Sequence, residues 1–245
     1  MHIESLIDWS ANKLLGSIEA QSYLSKRGVP LEIANRLNIG FIDSSYIPSQ
    51  SDDRNHSDKC ESAQNRCDTC RFLSWSQNDR LLGRVVLPLT SYSGASLGIQ
   101  TRSIKEKTYD TFLLSHRPES YFFGLRDSIQ KIWTRKYVVL VEGPFDCMIL
   151  KRFVDHPVIA ITTNATNENQ SRFLNRYVDR VYTLLDNDKA GRDGFISIRN
   201  KTPSLEHIRL EISPRFDVKD VNDLWVKLGD ERFSKEISSV FSHVM

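Results

Sequence analysis

Hydrophobic and polar positions follow two rhythms along this chain. Ile3, Leu6, Ile7, Leu14 and Leu15 recur at helical spacing and predict one amphipathic helix over residues 2–15. A second helix is expected from Ile18 to Lys26, stopped by Arg27-Gly28, and a third over 31–37 after the Val29-Pro30 turn. Residues 43–70 are polar, rich in Ser, Asp and Asn, and read as a loop. From Arg80 the pattern becomes strand-like. Arg84-Val85-Val86-Leu87-Pro88-Leu89, a turn at Ser93-Gly94, and Leu97-Gly98-Ile99-Gln100-Thr101-Arg102 predict a β-hairpin. Three short apolar, β-branched runs follow, at 137–141, 158–161 and 181–185, and such runs suit parallel strands buried on both faces. Residues 147–153 and 191–200 read as helices, 208–212 as a further strand and 231–241 as a last helix. Strands alternating with helices in this way predict an α/β fold around a mostly parallel sheet.

Composition narrows the class. The 245 residues are 40% hydrophobic and 26% charged, enough for one large domain or two small ones with a sizeable core. No run of about 18 apolar residues occurs, and Met1-His2-Ile3-Glu4 lacks the basic and apolar regions of a signal peptide. An intracellular, cytoplasmic protein is expected, with its four cysteines reduced or metal-bound. The net charge of +2 hides an uneven distribution: residues 71–136 carry 11 basic against 5 acidic side chains. A basic stretch ahead of an acidic one suggests a phosphate-rich ligand, although a solvated charged face explains the excess equally well.

The chemistry concentrates after two of the apolar runs. The first ends in Glu142-Gly143-Pro144-Phe145-Asp146 and the second in Asp186-Asn187-Asp188. Open α/β sheets place ligands just past the carboxyl ends of their strands. Crowded carboxylates repel one another, and a divalent cation with oxygen ligands is the usual compensation. Either motif alone is as well explained by helix capping. Two of them in the same strand-to-helix context favour a metal site.

A separate group lies in the polar loop: His56, Cys60, Cys67 and Cys70, spaced H-x3-C-x6-C-x2-C. A Cys-x2-Cys turn lets two thiolates grip one zinc ion in a tetrahedral site, which would order a segment too polar to fold alone. Reduced thiols without a metal, an iron–sulfur cluster or a disulfide are the alternatives.

Glu142 with the Asp186-Asn187-Asp188 motif resembles the Toprim fold, and the surrounding chain resembles the RNA polymerase domain of DnaG-type primases. Tyr23-Leu24-Ser25-Lys26-Arg27-Gly28 followed by Asn38-Ile39-Gly40-Phe41 is similar to the family's YLxxRG…xIGF signature. The hairpin is similar to its ERVxFPI…GxxxGFGGR segment, and Pro118-Glu119 with 121–125 to its PE…LYGL stretch. Lys219-Asp220-Val221-Asn222-Asp223-Leu224 resembles KDPNDL. Where the family has a Gly-containing SLGTS loop, this chain has Thr162-Thr163-Asn164-Ala165. The cysteine group also departs from the family, whose zinc domain precedes the polymerase core; here it reads as an insertion within that core.

The resemblance implies a Toprim domain over 136–228, with a central, mostly parallel sheet flanked by helices. It is preceded over 1–135 by a basic α+β subdomain carrying the Cys-rich insertion (about 43–75), and followed by a C-terminal helix over 229–245. It implies a DNA primase, a nucleotidyltransferase that makes short oligoribonucleotides on single-stranded DNA from ribonucleoside triphosphates. Mg²⁺ or Mn²⁺ would be held by Glu142, Asp146, Asp186, Asp188 and Asp220, with Glu142, Asp186 and Asp188 central to catalysis and Glu142 either a general base or a ligand. Arg84, Arg102, Lys105, Lys107, Lys189 and Arg192 would face nucleic acid or nucleotide phosphates. The family's helicase-binding part has no counterpart in these residues, so a replicative helicase is expected on a separate chain, in a bacterial or phage-infected cell. A Toprim nuclease or a non-catalytic replisome module are the competing functions.

Overall fold

The computed structural model describes residues 3–46, 68–76, 81–114, 120–163 and 165–244. The chain folds as two units, each drawn from separate stretches of sequence. One takes Met1–Tyr23, Asn35–Leu89 and Ser96–Arg117; the other takes Leu24–Ala34, Thr90–Ala95 and Pro118–Met245.

The helices α1 (Ile3–Gly16), α2 (Ile18–Lys26) and α3 (Leu31–Arg36) lie where hydrophobic spacing places them. In the first unit, β1 (Gly40–Ile42), α4 (Asp68–Ser76), β2 (Arg84–Thr90), β3 (Ser96–Ser103) and β4 (Tyr109–Leu113) follow. Strand β1 runs antiparallel to β2 with Phe41 opposite Val85, and β3 antiparallel to β4 with Gln100 opposite Thr111. Helix α1 supplies Ile3, Leu6 and Ile7 to a core shared with Ile42, Val86, Ile99 and Phe112. Removing those side chains from water stabilises this unit by about 25 cal/mol per Å² buried. The expected loop over 43–70 ends differently: its last residues begin α4, because Phe72 buries itself against Phe112, ring centroids 5.2 Å apart. Aromatic anchors of this kind, Phe72 with Trp75 beside it, hold a short helix that its polar sequence would not form alone. His56, Cys60 and Cys67 lie outside the described residues, while Cys70 is half-buried on α4.

The second unit contains β5 (Phe122–Phe123), α5 (Leu125–Arg135), β6 (Tyr137–Val141), α6 (Pro144–Phe153), β7 (Val158–Ala160), α7 (Glu168–Tyr177), β8 (Arg180–Leu184), α8 (Lys189–Lys201), β9 (Glu206–Arg209) and α9 (Val221–Val240). Its strands are ordered β5-β7-β6-β8-β9. The pairs β6–β7, β6–β8 and β8–β9 are parallel, and β5 adds to β7 antiparallel. This is the expected mostly parallel α/β sheet. The chain leaves β6 to form β7 on one side, then crosses back to form β8 on the other. The switch point therefore lies at the carboxyl end of β6, where α/β sheets open a crevice for ligands. Every residue of β6 is buried, and Val138, Leu140, Ile159 and Val181 share a core with Phe122, Phe173 and Ile198. Helices α5 and α7 were not expected, because each turns only a narrow apolar stripe inward: Leu125, Ile129 and Ile132 on one, Phe173 and Leu174 on the other. Helix α9 starts ten residues before the expected 231, and breaks at Gly229, φ 69°. Among the described residues, no helix is long and apolar enough to cross a membrane.

Arg84, expected to face phosphate, is instead a brace within the first unit. It is only 6% exposed. Its Nε donates to Thr101 Oγ1 (2.9 Å), Nη1 to Thr108 Oγ1 (3.1 Å), and Nη2 to the carbonyls of Thr101 (3.3 Å) and Thr108 (3.0 Å). The planar fork is thus spent on tying β2 to β3 and to the turn before β4. Removing it strands the buried acceptors of Thr101, while those of the exposed Thr108 can turn to water. Arg84→Ala should therefore lower stability by roughly 3 kcal/mol in denaturant titrations. A loss below about 0.5 kcal/mol would return Arg84 to the surface role.

Candidate active site

The site grows from the carboxyl ends of β6 and β8. Strand β6 delivers Glu142, the residue after Val141, and Gly143-Pro144 then starts α6 so that Asp146 falls in its first turn. Proline suits that first turn, whose N–H would have no helical partner. Strand β8 delivers Asp186 and Asp188, and Asp188 is the N-cap of α8, its Oδ1 accepting from the Gly191 N–H at 2.9 Å. Gly191 is required there: a Cβ would stand 2.0 Å from the Asp186 carbonyl oxygen. The third contribution comes from the start of α9. Asp220 is its N-cap, Oδ1 accepting from the Asp223 N–H at 2.7 Å. Three helix starts thus turn their positive dipole ends toward one acidic group.

The acids feel one another. Burial, then the neighbouring Asp186, pushes the Glu142 carboxyl up to about 7. Burial raises Asp146 well above the carboxylate range, with Asp220 adding to it, while Asn222 holds it by donating N–H to Oδ1 at 3.0 Å. Asp186 and Asp220 are also raised, chiefly by burial. Asp188 goes the other way: the Gly191 N–H favours its charged form. Glu142 Oε2 is buried without a hydrogen-bond partner.

Two residues outside the expected set shape this group. Lys219 places Nζ 2.9 Å from Asp186 Oδ2 and 3.5 Å from Asp188 Oδ2, and its own affinity for a proton rises, first through the Asp186 contact. Asn222 is buried and joins α9 to the end of α2: Arg27 Nη1 donates to its Oδ1 (2.5 Å), and its Nδ2 donates to the Arg27 carbonyl (2.8 Å). That carbonyl precedes Gly28, at φ 78°, which lies against the Trp225 ring. The Arg27-Gly28 and Lys219-to-Asn222 stretches were visible as motifs. Their pairing across 195 positions was not.

Among the described residues, no three acidic, histidine or cysteine side chains converge as a ready-made metal shell. The donor set nevertheless suits a hard divalent cation: five carboxylates, one of which keeps a buried oxygen without a partner. Of the basic residues expected to meet phosphate, Lys189 and Arg192 are exposed on the first turn of α8, beside Asp188. In the other unit, Lys105 and Lys107 are exposed in the turn between β3 and β4, while Arg102 is buried, donating to Tyr23 Oη (3.3 Å) and lying over the Tyr109 ring. The loop after β7 adopts the left-handed conformation that glycine favours, at Thr162, φ 61°. Its N–H donates to the Glu142 carbonyl at 3.0 Å, so a strained β-branched residue backs the acid.

The raised Glu142 fixes the sign of a pH effect. Its folded pKa of about 7 exceeds the ordinary 4.5, so the folded state holds the proton more tightly. Stability of the metal-free protein therefore falls as pH rises from about 4.5 to about 7 and stays reduced above that. In EDTA, Glu142→Gln should gain on the wild type across this window. The gain should be about 1 kcal/mol once solvent screening of a half-buried group is allowed for. A stability difference that does not change between pH 5 and 8 would remove the assigned repulsion.

A Toprim-like family matches residues 139–225, the segment that holds β6, β8 and all five acids. The DNA primase of Aquifex aeolicus is 25% identical over 247 residues, covering 97% of this chain and 48% of that protein. This chain thus spans about half the length of that relative. The solved zinc-binding and RNA polymerase domains of Aquifex aeolicus primase superpose with a TM-score of 0.72 at 21% identity, covering 98% of this chain and 59% of that one. A DnaG primase catalytic domain solved with single-stranded DNA gives 0.68 at 21% identity, over 96% and 79%. By sequence along its length and by fold, this chain is similar to the DnaG-type primases, with residues 139–225 matching a Toprim-like family.

Proposed function

We propose that this chain is the nucleotidyl-transferring part of a DNA-dependent RNA primase, joining ribonucleotides into short primers on single-stranded DNA. The observation that carries the reading is that Glu142, Asp146, Asp186, Asp188 and Asp220 lie at the strand and helix ends around the switch point of a primase-like fold and act on one another's charge. Similarity to a primase catalytic domain that was solved with single-stranded DNA supports the template class. When bound by these acids, Mg²⁺ or Mn²⁺ supplies charge neutralisation for a triphosphate and favours attack of a primer 3′-hydroxyl on the α-phosphorus.

The chain's own residues do the rest. Asp188 is fixed by its helix cap and Asp146 by the Asn222 N–H, so both carboxylates are oriented before any ligand arrives. Glu142 serves as a ligand or as the base for the attacking hydroxyl. Lys189 and Arg192 offer exposed positive charge to the phosphates of a nucleotide held beside Asp188. Lys105 and Lys107 follow a nucleic-acid backbone without reading bases. A replicative helicase on a separate chain would bring the template, in the cytoplasm of a bacterial or phage-infected cell. His56, Cys60, Cys67 and Cys70 hold a structural zinc in this reading. Protein purified without chelators should carry about one zinc per chain, lost in Cys67→Ser; preparations with neither zinc nor iron would leave these thiols unliganded.

The decisive assay combines the protein, single-stranded DNA, ribonucleotides and Mg²⁺ or Mn²⁺. Short labelled oligoribonucleotides are expected, and Asp186→Ala or Asp188→Ala should lower their yield at least a hundredfold, in line with losing a group that stabilises transition-state charge. Near-normal synthesis by either variant would dismiss the assigned site. Degraded template without synthesis would mark a nuclease, and neither activity would mark a binding module.

A further inference from the structure

We propose that Lys219 is a resident cation of the acidic site: it neutralises the carboxylates while no divalent ion is bound, and it leaves when one arrives. This rests on the metal-binding reading of the site given above.

The first support is position. Lys219 Nζ sits 2.9 Å from Asp186 Oδ2 and 3.5 Å from Asp188 Oδ2. These are oxygens that the backbone does not use. Asp188 commits Oδ1 to capping α8, and Asp146 and Asp220 likewise commit Oδ1 to backbone N–H groups. Asp188 is thus anchored by one oxygen while Lys219 covers the other, and Lys219 also covers one oxygen of Asp186. An ion bound there would meet the ammonium on the same atoms.

The second support is how the lysine is delivered. Its carbonyl accepts the Asn187 N–H at 2.7 Å, tying the residue to the middle of the Asp186-Asn187-Asp188 turn. The next residue, Asp220, caps α9 and fixes the chain direction on the other side. The backbone therefore returns the side chain to the site each time the ion departs. The side chain itself is 57% exposed, on a flexible four-carbon stem that can turn out to water without disturbing the core. A buried arginine in a bidentate pair would be locked in place; this lysine is held at the root and free at the tip.

The third support is charge. Five carboxylates share this region, and Glu142 keeps a buried oxygen without a partner. Like charges this close cannot all ionise without a compensating cation. Lys219 supplies one positive charge where a divalent ion supplies two, so the ion wins when its concentration suffices, and the lysine sets the concentration required. A mutually exclusive competitor weakens apparent affinity by the factor by which it stabilises the empty site.

The test measures binding of Mn²⁺ alone, with free ion counted by its paramagnetic resonance signal and no nucleotide present. Lys219→Met keeps the stem and removes the charge. It should bind Mn²⁺ roughly tenfold more tightly than the wild type, about 1.4 kcal/mol. Lys219→Gln should tighten binding similarly and serves where the methionine variant folds poorly. Lys219→Arg, still a cation, should stay within about threefold of the wild type, a difference of less than 1 kcal/mol. Melting should agree: Lys219→Met loses stability in EDTA and gains more than the wild type on adding Mn²⁺. Adding Asp186→Asn to Lys219→Met should abolish the tightened binding. Wild-type binding with equal or weaker affinity in both neutral variants would overturn the competitor role and leave the metal site standing. Absence of Mn²⁺ binding from every variant would overturn both.

Discussion

Mutual repulsion among carboxylates is the constraint on which the second unit depends. A parallel sheet buried on both faces can deliver side chains to a ligand only at its strand ends, and β6 and β8 end in acids. Neighbouring parallel strands are spaced by about 4.8 Å, so residues that follow them in register are forced together. Val141 pairs with Leu184, which places Glu142 and Asp186 within two positions of one register line. The arrangement costs free energy in the isolated protein. Burial and proximity raise Glu142, Asp146, Asp186 and Asp220 together. The fold tolerates this because helix starts, backbone N–H groups and Lys219 each return part of the cost locally.

This distribution explains why the anchoring partners lie far away in sequence. Asp146 is oriented by the Asn222 N–H, and Asn222 is oriented by Arg27. Arg27 in turn sits at the end of α2, where its guanidinium also lies over the Phe145 ring. A helix ahead of the sheet, the first turn of α6 and the start of α9 are therefore held by one connected set of hydrogen bonds. Such chains of buried polar contacts are effective only when each member is satisfied. They also make the acid geometry sensitive to residues that touch no substrate.

The parts legible in the sequence were those set by local rules. Uninterrupted β-branched runs announced β6, β7 and β8, and the acids behind two of them marked the candidate site. Apolar spacing placed α1 and α2 within one or two residues. What stayed hidden was set by packing. Arg84 begins a strand whose residues up to Leu89 are all buried, and no local signal tells an arginine facing solvent from one turned inward onto Thr101 and Thr108. Helices α5 and α7 carry too few apolar residues to stand out from polar surroundings, although Asn167 and Gln170 form a capping box that marks the start of α7. Lys219 was legible as part of a motif, but its role depends on a turn that closes only when β8 and α9 are in place.

Thr162 shows how the surrounding sheet can hold a turn in a conformation that its residue type does not favour. A left-handed backbone is needed after β7 so that the chain turns away while its N–H still supports the Glu142 carbonyl. Glycine would adopt it freely, whereas a β-branched residue loses on the order of 1–2 kcal/mol there. The strand behind it absorbs that loss: Val158, Ile159, Ala160 and Ile161 are fully buried, and the Ile161 N–H donates to Val141 at 3.0 Å. The backbone is thus dictated by the sheet, and the residue type follows only where nothing else can hold the turn. The same logic separates the acids from their supports. Carboxylates at the strand ends can be exchanged only for one another without changing the charge, while the groups that orient them are mostly backbone N–H donors, which most residue types supply.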